Sequence, residues 1–115
     1  MQERRQFIRV QTPIMVEFAD PSTTAPQRSF TQDVSETGMR FPSAAKLQIG
    51  QSLPMTLHVP FFDQALHATG EVVWLRQTSR LGGPQYEVGV RFQWIEDPDR
   101  QNLLRHLTGL VQPRV

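Results

Sequence analysis

At 115 residues the chain is long enough for one hydrophobic core and too short for two. Apolar residues make up only 38%, but seven Phe and two Trp each bring a large burial area, and with no cysteine neither a disulfide framework nor a thiolate metal site can form. A formal net charge of +1 gives little support to a long polyanionic partner, and no stretch is long and apolar enough for a membrane span or a secretory leader.

From the N-terminus, residues 1–13 form an arginine-rich segment ahead of the first strand-like pattern. Period-two alternation then dominates until the last fifth of the chain. Residues 14–18 read as the first strand, closed by a Pro/Ser/Thr-rich turn over 20–26. Residues 28–33 and 39–41 read as the second and third, flanking a polar turn. Residues 52–59 come next, with Leu53, Met55, Leu57 and Val59 on one face. Residues 66–76 form a long strand, and residues 86–94 place Val88, Val90, Phe92 and Trp94 on one face. The run Gly82-Gly83-Pro84 marks the hairpin between these two.

The period changes after residue 96. Asp97 suits a helix N-cap and Pro98 the first helical position, while Leu103, Leu107, Leu110 and Val111 recur on one face before Pro113, which predicts a helix over 97–112. The pattern predicts a mainly β domain over 14–115: six or seven short antiparallel strands forming a small barrel, with a C-terminal α-helix packed against it.

Eleven of the twelve basic residues are arginine, Lys46 being the exception. Arginine presents a planar fork that pairs bidentately with phosphate or a guanine edge and stacks on a base. Arg28, Arg76, Arg80, Arg100 and Arg114 are scattered and read as compositional. Three arginines within the first nine residues, against Glu3 alone, make a local positive patch that suits one small anionic ligand.

Two short patterns stand in order: Arg4-Arg5-Gln6-Phe7-Ile8-Arg9, then Asp33-Val34-Ser35-Glu36-Thr37-Gly38, with Gly89-Val90-Arg91-Phe92 later in the chain. Together they resemble the two halves of the cyclic di-GMP site of the PilZ domain family and its closing strand, over almost the whole chain. The resemblance implies a PilZ-like barrel. Arg5 and Arg9 would be the motif pair with Arg4 as an additional fork, and Asp33, Ser35 and Gly38 would complete the site. By the same resemblance an arginine directly ahead of the motif goes with a stacked pair of ligands, so two cyclic di-GMP molecules per chain are expected.

The chemistry suits these residues. A carboxylate at Asp33 can accept from the guanine Watson–Crick edge, the Ser35 hydroxyl can serve a phosphate or base edge, and Gly38 lets the backbone approach a ligand or take a positive φ. Each pattern also has a purely structural reading: Arg5 and Arg9 could lie on a solvated helix surface, and Asp33 and Ser35 could close an Asx-type turn. Trp74, in Gly70-Glu71-Val72-Val73-Trp74, could flank a base or belong to the barrel rim. Arg91 alternates away from Val90 and Phe92 and so faces outward, toward solvent or ligand.

His58, His67 and His106 match no metal-ligand spacing, and Ser35 has no histidine partner or nucleophile elbow, so neither a metal site nor an enzyme is expected. No cofactor is expected beyond the cyclic di-GMP ligand. The expectation is a cytoplasmic receptor that acts on an unidentified effector protein, without nucleic-acid partner or membrane insertion. Its residues 1–13 would order when ligand binds. Rival readings are a PilZ-like interaction module without nucleotide binding and a nucleic-acid-binding small barrel.

Overall fold

The computed structural model describes residues 9–19, 25–60, 62–80 and 83–111. Arg4 and Arg5 lie outside the described residues. Among the described residues eight antiparallel strands precede one helix: β1 (Arg9–Val10), β2 (Met15–Phe18), β3 (Gln27–Phe30), β4 (Asp33–Ser35), β5 (Gly38–Ser43), β6 (Ser52–His58), β7 (Leu66–Arg80), β8 (Gly83–Ile95) and α1 (Asp97–Val111). They form one sheet in the order β1-β4-β5-β8-β7-β6-β2-β3.

The fold is mainly β as expected, with eight strands rather than six or seven. The added ones are short. Arg9–Val10, within the segment placed ahead of the first strand, pairs with Ser35 and Val34, and Asp33–Ser35 is itself a strand rather than part of a turn. The hydrogen-bonded ladder does not close into a barrel. The sheet curls instead, so that β3 lies against β5, where the Ser29 hydroxyl donates to the Pro42 carbonyl.

Alternation fixes which face is buried. Val16 and Phe18 of β2, Met39 and Phe41 of β5, Leu53, Met55 and Leu57 of β6, and Val88 and Val90 of β8 all point into one core. The Phe18 and Phe41 rings meet at 5.1 Å, tilted by 42°. The helix adds Leu103 and Leu107 to this core and packs on β1, β4 and β7. Leu110, expected on the same face, is 49% exposed.

Two irregularities break the period of the β7–β8 hairpin. Ladder pairs run Thr69↔Trp94 then Gly70↔Phe92, and Val72↔Val90 then Trp74↔Gly89, so Gln93 and Val73 are each one residue too many. The extra Gln93 reverses the facing of the last two strand residues: Ile95 is buried and Trp94, expected beside Val90 on the core face, is 54% exposed. The extra Val73 turns Trp74 out of the core. The hairpin is also longer than the Gly82-Gly83-Pro84 signal suggests, with Arg80 paired to Gly83. No described helix is long and apolar enough to cross a membrane.

Candidate functional site

The short β4–β5 hairpin sets the floor of the site. Its turn is held by Ser35, whose hydroxyl accepts from the Thr37 N–H at 3.2 Å and shares a 2.9 Å hydrogen bond with the Thr37 hydroxyl. Ser35 is only 1% exposed. Beside the turn, β5 runs so close to β8 that a Cβ on Gly38 would stand 2.1 Å from the Val90 carbonyl oxygen. Gly38 is therefore needed for backbone contact between strands and not for a positive φ, which among the described glycines only Gly50 adopts.

The register then places four residues in one row across the sheet. Asp33 pairs with Arg40, Arg40 with Gly89, and Gly89 with Trp74. A Cβ on Gly89 would sit 2.2 Å from the Trp74 indole, so the glycine leaves the room in which that ring lies across β8. The row thus carries a carboxylate, a guanidinium and an aromatic plane in succession. The neighbouring row pairs Gly38 with Arg91 and Arg91 with Glu71.

These rows line a cleft of about 460 Å³ formed by Arg9, Asp33, Thr37, Gly38, Met39, Arg40, Val73, Trp74, Gly89, Val90 and Arg91. Among the described residues three arginines face it against one carboxylate. Asp33 is largely shielded and accepts from Arg9 at one oxygen and from Arg40 Nη2 at the other, at 2.9 Å. Arg40 also lies 3.6 Å from Glu87, which in turn binds Arg76, and Arg91 is held by Glu71. Each carboxylate oxygen has two lone pairs, so Asp33 can keep its arginines and still accept from a ligand. The groups match what a guanine nucleotide needs: forks for phosphate or for O6 and N7, an acceptor for ring and exocyclic N–H, and a flat surface for stacking.

The family model for the PilZ domain matches residues 3–109. The chain belongs to the PilZ domain family. Solved PilZ structures share the fold at low identity. The Bacillus subtilis inhibitor of motility MotI is 20% identical with a TM-score of 0.76, covering 98% of this chain and 55% of that one. The PilZ domain of Escherichia coli YcgR, solved with cyclic di-GMP, is 16% identical with a TM-score of 0.72, covering 94% and 92%. The complex of MrkH from K. pneumonia with cyclic di-GMP is 13% identical with a TM-score of 0.76, covering 96% and 53%. This chain spans about half the length of MotI and MrkH. No curated protein sequence matches it.

In this PilZ domain the residues expected at the site separate into groups. Arg9, Asp33, Gly38, Trp74 and Arg91 converge on the cleft. Ser35 does not line it; the hydroxyl is turned into the β4–β5 turn, and Thr37 reaches the cleft instead. Sequence reasoning missed Arg40, Gly89 and Glu87. Arg40 had a usable signal: it lies between Met39 and Phe41, so an inward pair there forces it onto the opposite face, the one that carries Asp33. Gly89 stands in the Gly89-Val90-Arg91-Phe92 pattern but was not read as a site residue, and its Trp74 partner, like the Arg76 partner of Glu87, depends on the register past the Val73 bulge.

Proposed function

We propose that this PilZ domain is a receptor for cyclic di-GMP that carries no catalysis of its own and passes the signal to a partner protein. The observation that carries this reading is the convergence of Arg9, Asp33, Arg40, Trp74 and Arg91, from strands far apart in the sequence, on one cleft. The family membership and the two neighbours solved with the same nucleotide point the same way.

In this reading Arg40 and Arg91 take phosphate or a guanine Hoogsteen edge, Asp33 accepts from a guanine Watson–Crick edge, and the exposed face of Trp74 supports a base. Arg9, 53% exposed at its side chain and at the end of the sheet, closes over the ligand together with Arg4 and Arg5. Closing of the arginine motif on the cleft when ligand binds changes the surface offered to a partner, a local charge event with a wider readout. Two ligands per chain are proposed, the Arg4 guanidinium stacking on the second and offsetting its phosphate charge.

Calorimetric titration with cyclic di-GMP tests the reading. Saturable binding at two ligands per chain is expected, with Arg4→Leu moving the stoichiometry toward one. Absence of binding overturns the receptor reading. Binding of cyclic di-AMP with equal affinity overturns the role given to Asp33.

A further inference from the structure

Behind the cleft stands a carboxylate that does not line it. Glu87 lies on β8 with its side chain 12% exposed, bound through Oε1 to Arg76 and with Oε2 3.6 Å from Arg40 Nη1. Arg40 contacts two carboxylates, Asp33 and Glu87, and its buried Nε has no hydrogen-bond partner among the described residues. The arginine therefore lies between a group on the ligand surface and a group behind it. Arg76, 67% exposed, is Glu87's other partner and pairs with it across the β7–β8 hairpin.

We propose that Glu87 is an affinity-setting residue: it withholds Arg40 from an anionic ligand, and Arg76 makes that hold reversible. The proposal rests on the receptor reading above. An incoming phosphate competes with Glu87 for the Arg40 guanidinium, so part of the binding free energy goes into breaking that ion pair. A shielded carboxylate stripped of every cation would be strongly unfavourable. Here Arg76 still holds the other oxygen, so the exchange leaves no stranded charge, and Arg40 can swing between Glu87 and the ligand while Asp33 holds its remaining end. The alternating series Arg9, Asp33, Arg40, Glu87, Arg76 runs in the strand order β1, β4, β5, β8, β7, and the shared carboxylates let a change at one end be felt at the other.

The two partners of this lever predict opposite signs. Glu87→Gln keeps the shape and removes the competing charge, so cyclic di-GMP should bind more tightly, by roughly three- to ten-fold, with a steeper loss of affinity as salt rises because one more cation is free to meet the ligand. Arg76→Ala leaves Glu87 to Arg40 alone and should weaken binding, although residue 76 does not line the cleft. A cycle separates this lever from a general charge effect. In an Arg40→Gln background, Glu87→Gln should give little or no gain, whereas a simple field effect would persist there.

Calorimetry on wild type, the three single variants and the double variant, with urea midpoints to confirm folding, decides the matter. Unchanged or weaker binding in Glu87→Gln, with wild type binding normally, overturns the proposal and leaves the receptor reading standing. An equal gain with and without Arg40 also overturns it. No binding by wild type removes the receptor reading and this proposal with it.

Discussion

Among the described residues two clusters of opposite charges cross this sheet, and they differ in how far their acids are shielded. At and behind the cleft, Asp33 and Glu87 are shielded, at 11% and 12% side-chain exposure, and are shared by arginines from strands far apart in sequence. On the β3-β2-β6 side, Glu17 binds Arg28 at 2.8 Å and His58 at 2.7 Å, with all three side chains more open to water. The chemistry of the pairs is alike. The difference lies in shielding and sharing: Glu17 also borders a cavity, of about 450 Å³ and beside Trp94, but its carboxylate and its partners are more open to water and their pairs are screened, whereas the shielded Asp33 holds Arg9 and Arg40 together at the edge of the cleft beside Trp74. Shielded acids fix cations at the edge of a cavity more firmly than solvated ones do.

The largest expected effect breaks the cleft cluster at its centre. Asp33→Ala removes the acceptor proposed for the guanine Watson–Crick edge together with the group that positions Arg9 and Arg40, and cyclic di-GMP affinity should fall by about 2 to 3 kcal/mol, read by calorimetry. Glu17→Gln in the other cluster should leave affinity unchanged. Equal losses in the two variants would erase the distinction.

Backbone packing gives the next effect. Gly38→Ala places a methyl group against the Val90 carbonyl and should destabilise the fold by about 1 to 3 kcal/mol in urea unfolding. Gly109, whose added Cβ would meet no atom within 4 Å, lies in the exposed helix, and Gly109→Ala should stabilise by about 0.5 to 1 kcal/mol. A neutral Gly38→Ala would mean that β5 and β8 can separate at no cost, and that the site's floor is softer than its geometry implies.

Arg9→Ala sharpens the comparison at the rim. The side chain is half exposed, so stability should hold while affinity drops by about 1 to 2 kcal/mol from one lost charge-assisted contact.

The smallest effect is a pH signature of the solvated cluster. Hydrogen bonds from His58 and then Arg28 hold the Glu17 carboxyl below its ordinary value of 4.5. Its stabilising contribution is therefore complete above pH 4.5 and is lost as pH falls through the lower folded-state value. Urea midpoints measured down the acid limb should fall less steeply in Glu17→Gln than in wild type. Identical acid limbs would show that these exposed pairs add nothing.

Much of this protein is determined by the order of its residues alone. Alternation at Val16 and Phe18, at Leu53, Met55 and Leu57, and at Val88 and Val90 determined the strands and their buried faces, because a side-chain period of two leaves one choice once a core exists. The switch to helical spacing at Leu103 and Leu107 determined the C-terminal helix. The order and spacing of the motif arginines, Asp33 and Gly38 pointed to the PilZ domain family. Tertiary structure decided the rest. A two-residue strand at Arg9–Val10 is too short to show periodicity, and it exists because Val34 and Ser35 offer it an edge. Ser35 went to the turn and Thr37 to the cleft because hydrogen bonds within the turn fix the serine hydroxyl. Trp74 reached the site and Trp94 left the core through single extra residues at Val73 and Gln93, whose presence depends on how two long strands fit the sheet around them. Arg40, Glu87 and Arg76 are scattered in sequence and meet only through cross-strand register, which local spacing does not encode.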